Sequence, residues 1–92
     1  MPTLHMEVEV ARQTRSNMMT QHQQLTSSLQ AITTAVQNTV GSAWQGQSAM
    51  EFQQQYDQLR QSIMNQLEQL NQLASNLENE INQWEQMASR MG

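Results

Sequence analysis

From Phe52 to Ala88 an apolar residue returns at every third or fourth position without a break: Phe52, Tyr56, Leu59, Ile63, Leu67, Leu70, Ala74, Leu77, Ile81, Trp84 and Ala88. That spacing keeps one face of a 3.6-residue helix apolar. Neither Gly nor Pro interrupts it, and Met64, Leu73 and Met87 widen the stripe. A helix of this length spans roughly 60 Å at ~1.5 Å per residue. Upstream, Val10, Met18, Leu25, Leu29, Ile32, Val36 and Val40 trace a second helical stripe. Glu7 and Glu9 stand near its start, where negative charge complements the helix dipole. The first half of this upstream run has fewer large apolar groups, so its N-terminal turns are expected to be the loosest part of the fold.

Between the two runs lies Gly41-Ser42-Ala43-Trp44-Gln45-Gly46-Gln47-Ser48. Gly41 suits a helix C-cap, because without a Cβ it can adopt the left-handed conformation that satisfies the last carbonyls. Ser48 followed by Glu51 has the spacing of a capping box. A stop and a start this close together describe a helical hairpin. Trp44 is expected as a wedge buried in the crotch between the helices, and Gly46 as a concession to close packing in the turn.

The fold expected is therefore all-α: an antiparallel two-helix hairpin over about residues 7–40 and 47–90, forming a single domain over 1–92. Residues 1–5, which contain Pro2, are expected to be a disordered tail. One hairpin has one internal seam, which hides only a narrow stripe. The stripe on the second run is wider, since Leu67, Leu73 and Met64 are expected beside the seam. Burying a large apolar side chain contributes ~1.5–3 kcal/mol, whereas ordering each backbone residue costs ~1–2 kcal/mol. A lone hairpin with a wet apolar flank does not balance. Pairing with a second hairpin into a four-helix bundle does. The competing arrangement, a long intermolecular coiled coil kinked at Trp44, leaves Gly41 and the capping residues without a purpose.

Composition excludes several classes of function. The chain has no lysine, and its arginines, Arg12, Arg15, Arg60 and Arg90, are dispersed through a chain of net charge −4. No phosphate-tracking surface follows from that, so neither nucleic acid nor an anionic membrane is expected as a partner. No segment approaches the ~18 apolar residues of a membrane span, and the N-terminal residues contain no apolar signal-peptide core. The chain is expected to act in the cytoplasm, or to leave it without a cleaved signal. Cysteine is absent, which removes disulfides and thiolate metal sites. Gln and Asn are abundant, but the strict spacing of the apolar residues marks them as uncharged outer faces of helices rather than a low-complexity tract.

No arrangement for catalysis is found. His5 and His22 are the only histidines. His22 falls near the seam, where an edge-of-core role is expected. No His-x-x-x-His, Glu-x-x-His or cysteine pattern offers a metal site. Gly41 and Gly46 are not followed by the lysine of a phosphate loop, and no Ser or Asp has the partners of a nucleophile. No enzyme activity, metal or cofactor is expected. Met18, Met19, Met64, Met87 and Met91 fill the core and pairing seam in this reading, or form an adaptable contact surface. Tyr56 and Trp84 lie on the main stripe and are expected in the core.

Trp44-Gln45-Gly46 at mid-chain, between capped helical runs and followed by the Ala49/Phe52 apolar start, resembles the WXG-100 (ESAT-6-like) family of small bacterial proteins. The resemblance covers essentially the whole chain. It implies an antiparallel hairpin that forms homo- or heterodimers, and a substrate or partner of a type VII (Esx-like) secretion system, exported folded and without a cleaved signal. The family's export signal is a C-terminal Tyr-x-x-x-Asp/Glu. Here the nearest register, Trp84-Glu85-Gln86-Met87-Ala88, keeps an aromatic ring but has Ala88 at the acidic position. Ile81 to Glu85 keeps the acid and lacks the ring. Three roles follow: a secreted, homodimeric cargo or co-secreted partner, with Trp44, Gly46, Trp84 and Glu85 as recognition points; a cytoplasmic adaptor for a larger effector with its own hairpin; or a purely structural bundle.

Overall fold

The computed structural model describes residues 5–91. It consists of two antiparallel helices, α1 (Val8–Thr39) and α2 (Gln47–Met91), packed side by side in a rod of 69 × 22 × 18 Å. The helix limits agree with the expected 7–40 and 47–90 to about one residue. Of the tail expected over 1–5, all but His5 lies outside the described residues.

The turn is built differently from the expectation. Gly41 does take a positive φ, +97°, one residue beyond the last helical turn, which closes with Val40 N–H donating to Val36 O at 2.9 Å. Its amide does not return to the helix. It donates to Trp44 O at 2.8 Å, and Trp44 N–H donates to Thr39 O at 2.8 Å. This reciprocal pair folds the chain back, so Trp44 rather than Gly41 satisfies a terminal carbonyl of α1.

α2 starts at Gln47, and its first helical hydrogen bond runs from Met50 N–H to Gly46 O at 3.2 Å. Gly46, with φ +115°, occupies the N-cap. Ser48 is thus already inside the first turn, and the capping box does not form. Glu51 Oε1 instead accepts from Gln47 Nε2 at 3.4 Å. The physical reason is the turn's need for positive φ at residue 46, which fixes the cap there. A Cβ placed on Gly41 or Gly46 meets nothing within 4 Å. The close packing expected at Gly46 is absent, and the dihedral angle alone calls for glycine.

The seam between the helices buries Leu29 and Val36 of α1 against Ala49, Tyr56, Leu67, Ala74 and Ile81 of α2. Leu67, expected beside the seam, lies within it. Ala49 and Ala74, each 1% exposed, keep the helices close where a larger side chain would part them. Thr33 Oγ1 donates to Leu29 O at 2.8 Å, which uses its only proton. The 2.5 Å contact between Thr33 Oγ1 and Tyr56 Oη therefore has the tyrosine donating.

At the open end of the hairpin, charge supplements apolar packing. Arg12 pairs with Glu85 and Arg15 with Glu78, joining the first turns of α1 to the last turns of α2. The hydrogen bond and charge of Glu85 raise the pKa of Arg12 above its ordinary value. The turns expected to be loosest are thus the ones tied across the seam by ion pairs.

Candidate interaction surface

The long sides of the rod carry what the seam cannot hold. Along α2 the residues repeat in sevens, and each series keeps to one face. Tyr56, Ile63, Leu70, Leu77 and Trp84 line one edge of the seam: Tyr56 is buried and the other four are half-buried. The neighbouring series, Phe52, Leu59, Gln66, Leu73, Glu80 and Met87, is turned outward. Leu59 and Leu73 are 57% and 58% exposed. Phe52 and Leu59, expected in the core or pairing stripe, therefore belong to the outer flank of the hairpin and not to its seam. On α1, Leu25 and Ile32 are 49% and 53% exposed.

These residues meet on one side. Leu25, Ser28 and Ile32 from α1, with Ile63, Gln66 and Leu70 from α2, line a shallow groove whose floor is Leu29 and Leu67. Leu59 and Leu73, one heptad either side of Gln66, extend the groove's rim along α2. The side is almost free of charge. No Asp, Glu, Lys or Arg occurs between Arg15 and Glu51, and the outer rim of α2 runs Gln55, Ser62, Gln69, Asn76 and Gln83. The opposite side of the rod is the more polar of the two and carries charge. His22, Thr26, Thr33, Arg60, Met64 and Glu68 line its groove, with His22 half-buried at the edge of the seam as expected.

Trp44 is not a buried wedge. It is 38% exposed at the tip of the hairpin, with its ring tilted 50° against that of Phe52 at a centroid distance of 5.5 Å. The reason lies in the turn. The paired hydrogen bonds between Trp44, Thr39 and Gly41 hold its backbone outside the crotch, where the small Ala49 fills the space instead. Near the other end, Trp84 is half-buried, while Glu85 and Ala88 are exposed. Of the residues expected in the degenerate export feature, Glu85 is engaged by Arg12. Sequence reasoning missed the role of Arg12, Arg15, Glu78 and Glu85 as cross-seam pairs. The antiparallel register contains that signal, since it sets Arg15 beside Glu78 and Arg12 beside Glu85.

Among the described residues, no group of three or more His, Asp or Glu side chains is placed to hold a metal ion. Among the same residues, no helix is long and apolar enough to cross a membrane. The geometry is that of a helical-hairpin module whose apolar resources are split between an internal seam and one exposed side. Comparison with protein families agrees: the model for "Proteins of 100 residues with WXG" (WXG100) matches residues 3–89, so this chain belongs to the WXG100 family, small helical proteins associated with type VII secretion. No curated protein and no solved structure matched.

Proposed function

We propose that this protein is a non-enzymatic pairing module, a homodimer of hairpins forming a four-helix bundle, which a type VII secretion system exports as cargo or co-secreted partner without a cleaved signal. The observation that carries the reading is the uncharged side bearing Leu25, Ile32, Leu59 and Leu73, all about half exposed in the isolated hairpin. Hiding what remains exposed of each such side chain contributes about half of the ~1.5–3 kcal/mol of full burial. A side of a rod 69 Å long has room for the ~800 Å² per partner that a stable interface buries. Because the side carries almost no charge, two copies of a chain with net charge −4 can meet there without like-charge repulsion. Trp44 at the exposed tip and Trp84 near the C-terminus are the recognition points for the machinery; Gly46 sets the turn that presents Trp44. Stable membrane insertion and nucleic-acid binding form no part of this role.

Light scattering on the purified chain at micromolar concentration tests the pairing, with a mass near twice the 10.6 kDa of the chain as the expected result. Deleting residues 84–92 and assaying culture supernatant tests the export feature, and loss of the secreted protein is expected. A well-folded monomer overturns the first half, and unchanged export the second.

A second reading has its own support. Ala88 stands where the family's signal has an acid, and Glu85 is held by Arg12, which favours an adaptor whose partner carries the complete signal. Co-purification with a larger hairpin-bearing protein, together with absence from the supernatant when expressed alone, would select this role.

A further inference from the structure

The chain has eight methionines and no cysteine, so every sulfur that an oxidant meets is a thioether. No methionine is among the buried residues of the seam, which are Leu, Val, Ala, Tyr and Ile. On α2 the sulfur lies outside: Met50, Met87 and Met64 are 65%, 50% and 43% exposed. The arginines divide in a related way. Arg12 and Arg15 are engaged by Glu85 and Glu78 across the seam. Arg60 and Arg90 have no ion pair among the described residues, and each stands one turn from an exposed methionine, Met64 and Met87. We propose that Met64 is a modification site at which a hydroperoxide converts the thioether to a sulfoxide, with the guanidinium of Arg60 assisting the oxygen transfer.

Met64 and Arg60 are four residues apart on one helix, which sets their Cβ atoms about 5–6 Å from each other. Helical side chains lean toward the N-terminus, so the Met64 thioether lies over the turn that carries Arg60. Both side chains line the groove whose lining includes Leu29 and Leu67, on the side away from Leu59 and Leu73. The carboxylates nearest in sequence have other partners: Asp57 Oδ1 accepts from Gln53 Nε2 at 2.9 Å, and Glu68 Oε1 from Gln72 Nε2 at 3.5 Å. In the reaction a sulfur lone pair attacks one oxygen of the hydroperoxide; the S–O bond forms as the O–O bond breaks. Sulfur loses two electrons and the peroxide gains them. The leaving oxygen takes the proton of the transferred one and departs as water or an alcohol. Negative charge develops on that leaving oxygen, where a charged N–H donor stabilises it. Arg60 donates and stays protonated throughout. The new sulfoxide oxygen accepts from the same guanidinium, so one lip of the groove turns from apolar to polar while the seam keeps its packing. Met50, two heptads earlier in the same series, has Gly46 and Gln47 on the turn behind it and no arginine. Met87 stands beside Arg90 but continues the outward series of Leu59 and Leu73, the side proposed to pair. Met64 is the site that such pairing leaves open.

Treating the purified chain with limiting hydrogen peroxide, and following its proteolytic peptides by mass spectrometry at early times, reads the oxidation rate at each methionine. Exposure alone ranks Met50 ahead of Met64. The reverse order is expected, with Met64 ahead by about threefold, the contribution of one exposed charge-assisted hydrogen bond. Arg60→Gln puts another good helix former at an exposed position, so unchanged helicity by circular dichroism is expected. The variant is expected to slow Met64 by about threefold and to leave Met50 as it was. Rates that follow exposure in the native chain overturn the site. A Met64 rate untouched by Arg60→Gln, or a fall shared equally by Met50, overturns the part assigned to Arg60. Because the rate order is read on the native chain, it decides the site whatever the variant does to the fold.

Discussion

The hydroxyl of Tyr56 donates to Thr33 Oγ1 across the helix seam, and the Thr33 hydroxyl donates in turn to Leu29 O one turn back. The first is the one hydrogen bond between uncharged side chains of α1 and α2 among the described residues. Its two ends differ in what they leave behind. Tyr56→Phe removes a donor and leaves Thr33 still bonded to Leu29, so a loss of about 0.5–1.5 kcal/mol is expected. Thr33→Val leaves the hydroxyl of the buried Tyr56 without an acceptor, and about 1–3 kcal/mol is expected. Urea unfolding at one fixed protein concentration checks the order, the concentration being held because association shifts apparent stability.

Gly46 and Gly41 make a sharper case. Both have positive φ, +115° and +97°, and open space where a Cβ would sit. Gly46→Ala is therefore expected to lower stability by about 1–3 kcal/mol from backbone strain alone, with no clash to relieve. A chain made by chemical synthesis with D-alanine at 46, for which positive φ is the relaxed region, is expected to match the native melting temperature. If both enantiomers destabilise equally, crowding and not dihedral angle explains this glycine.

The helices and the reversal were legible because Gly- and Pro-free runs with three-and-four spacing leave few alternatives. What that spacing could not divide was the stripe itself. Tyr56 and Phe52 are both helical neighbours of Ala49 in pattern, yet one is buried against α1 and the other faces outward. That division depends on how far α1 wraps α2, a property of the pair of helices and not of either period. Reading α2 in sevens separates the two series. Trp44 was misplaced for a related reason: its ring needed an apolar neighbour, and the fold supplied Phe52 at the surface instead of the crotch. The capping residues were misjudged because the need for positive φ at Gly46 outranked the preference of Ser48 for the cap.

The open end of the hairpin offers a test of charge. Arg12–Glu85 and Arg15–Glu78 join turns in which α1 has no fully buried residue, since Leu29 is the first one along it. Exposed pairs contribute little to global stability, but local opening responds to them because little else holds these turns. Arg12→Ala combined with Arg15→Ala is expected to speed amide hydrogen exchange in residues 10–18 and 80–90 while leaving 29–36 unchanged. Raising salt on the native chain is expected to do the same in milder form.

Leu59 and Leu73 decide which side of the rod is the working one. Both are exposed in the isolated hairpin, so Leu59→Ser and Leu73→Ser are expected to leave helicity and the intrachain seam intact. In a symmetric dimer each change occurs twice. Two losses of about half the ~1.5–3 kcal/mol of full burial together correspond to at least about a tenfold rise in the dimer dissociation constant. Met64 is the matched control, being 43% exposed but bordering the polar groove with Arg60 and Glu68 on the other side. Met64→Ser is expected to change the dissociation constant by less than about twofold, within the range of ordinary surface substitutions. Sedimentation equilibrium on the three variants reads this directly. If Met64→Ser weakens association as much as the two leucine changes, the hairpins meet through the polar side, and the uncharged side is not the pairing surface.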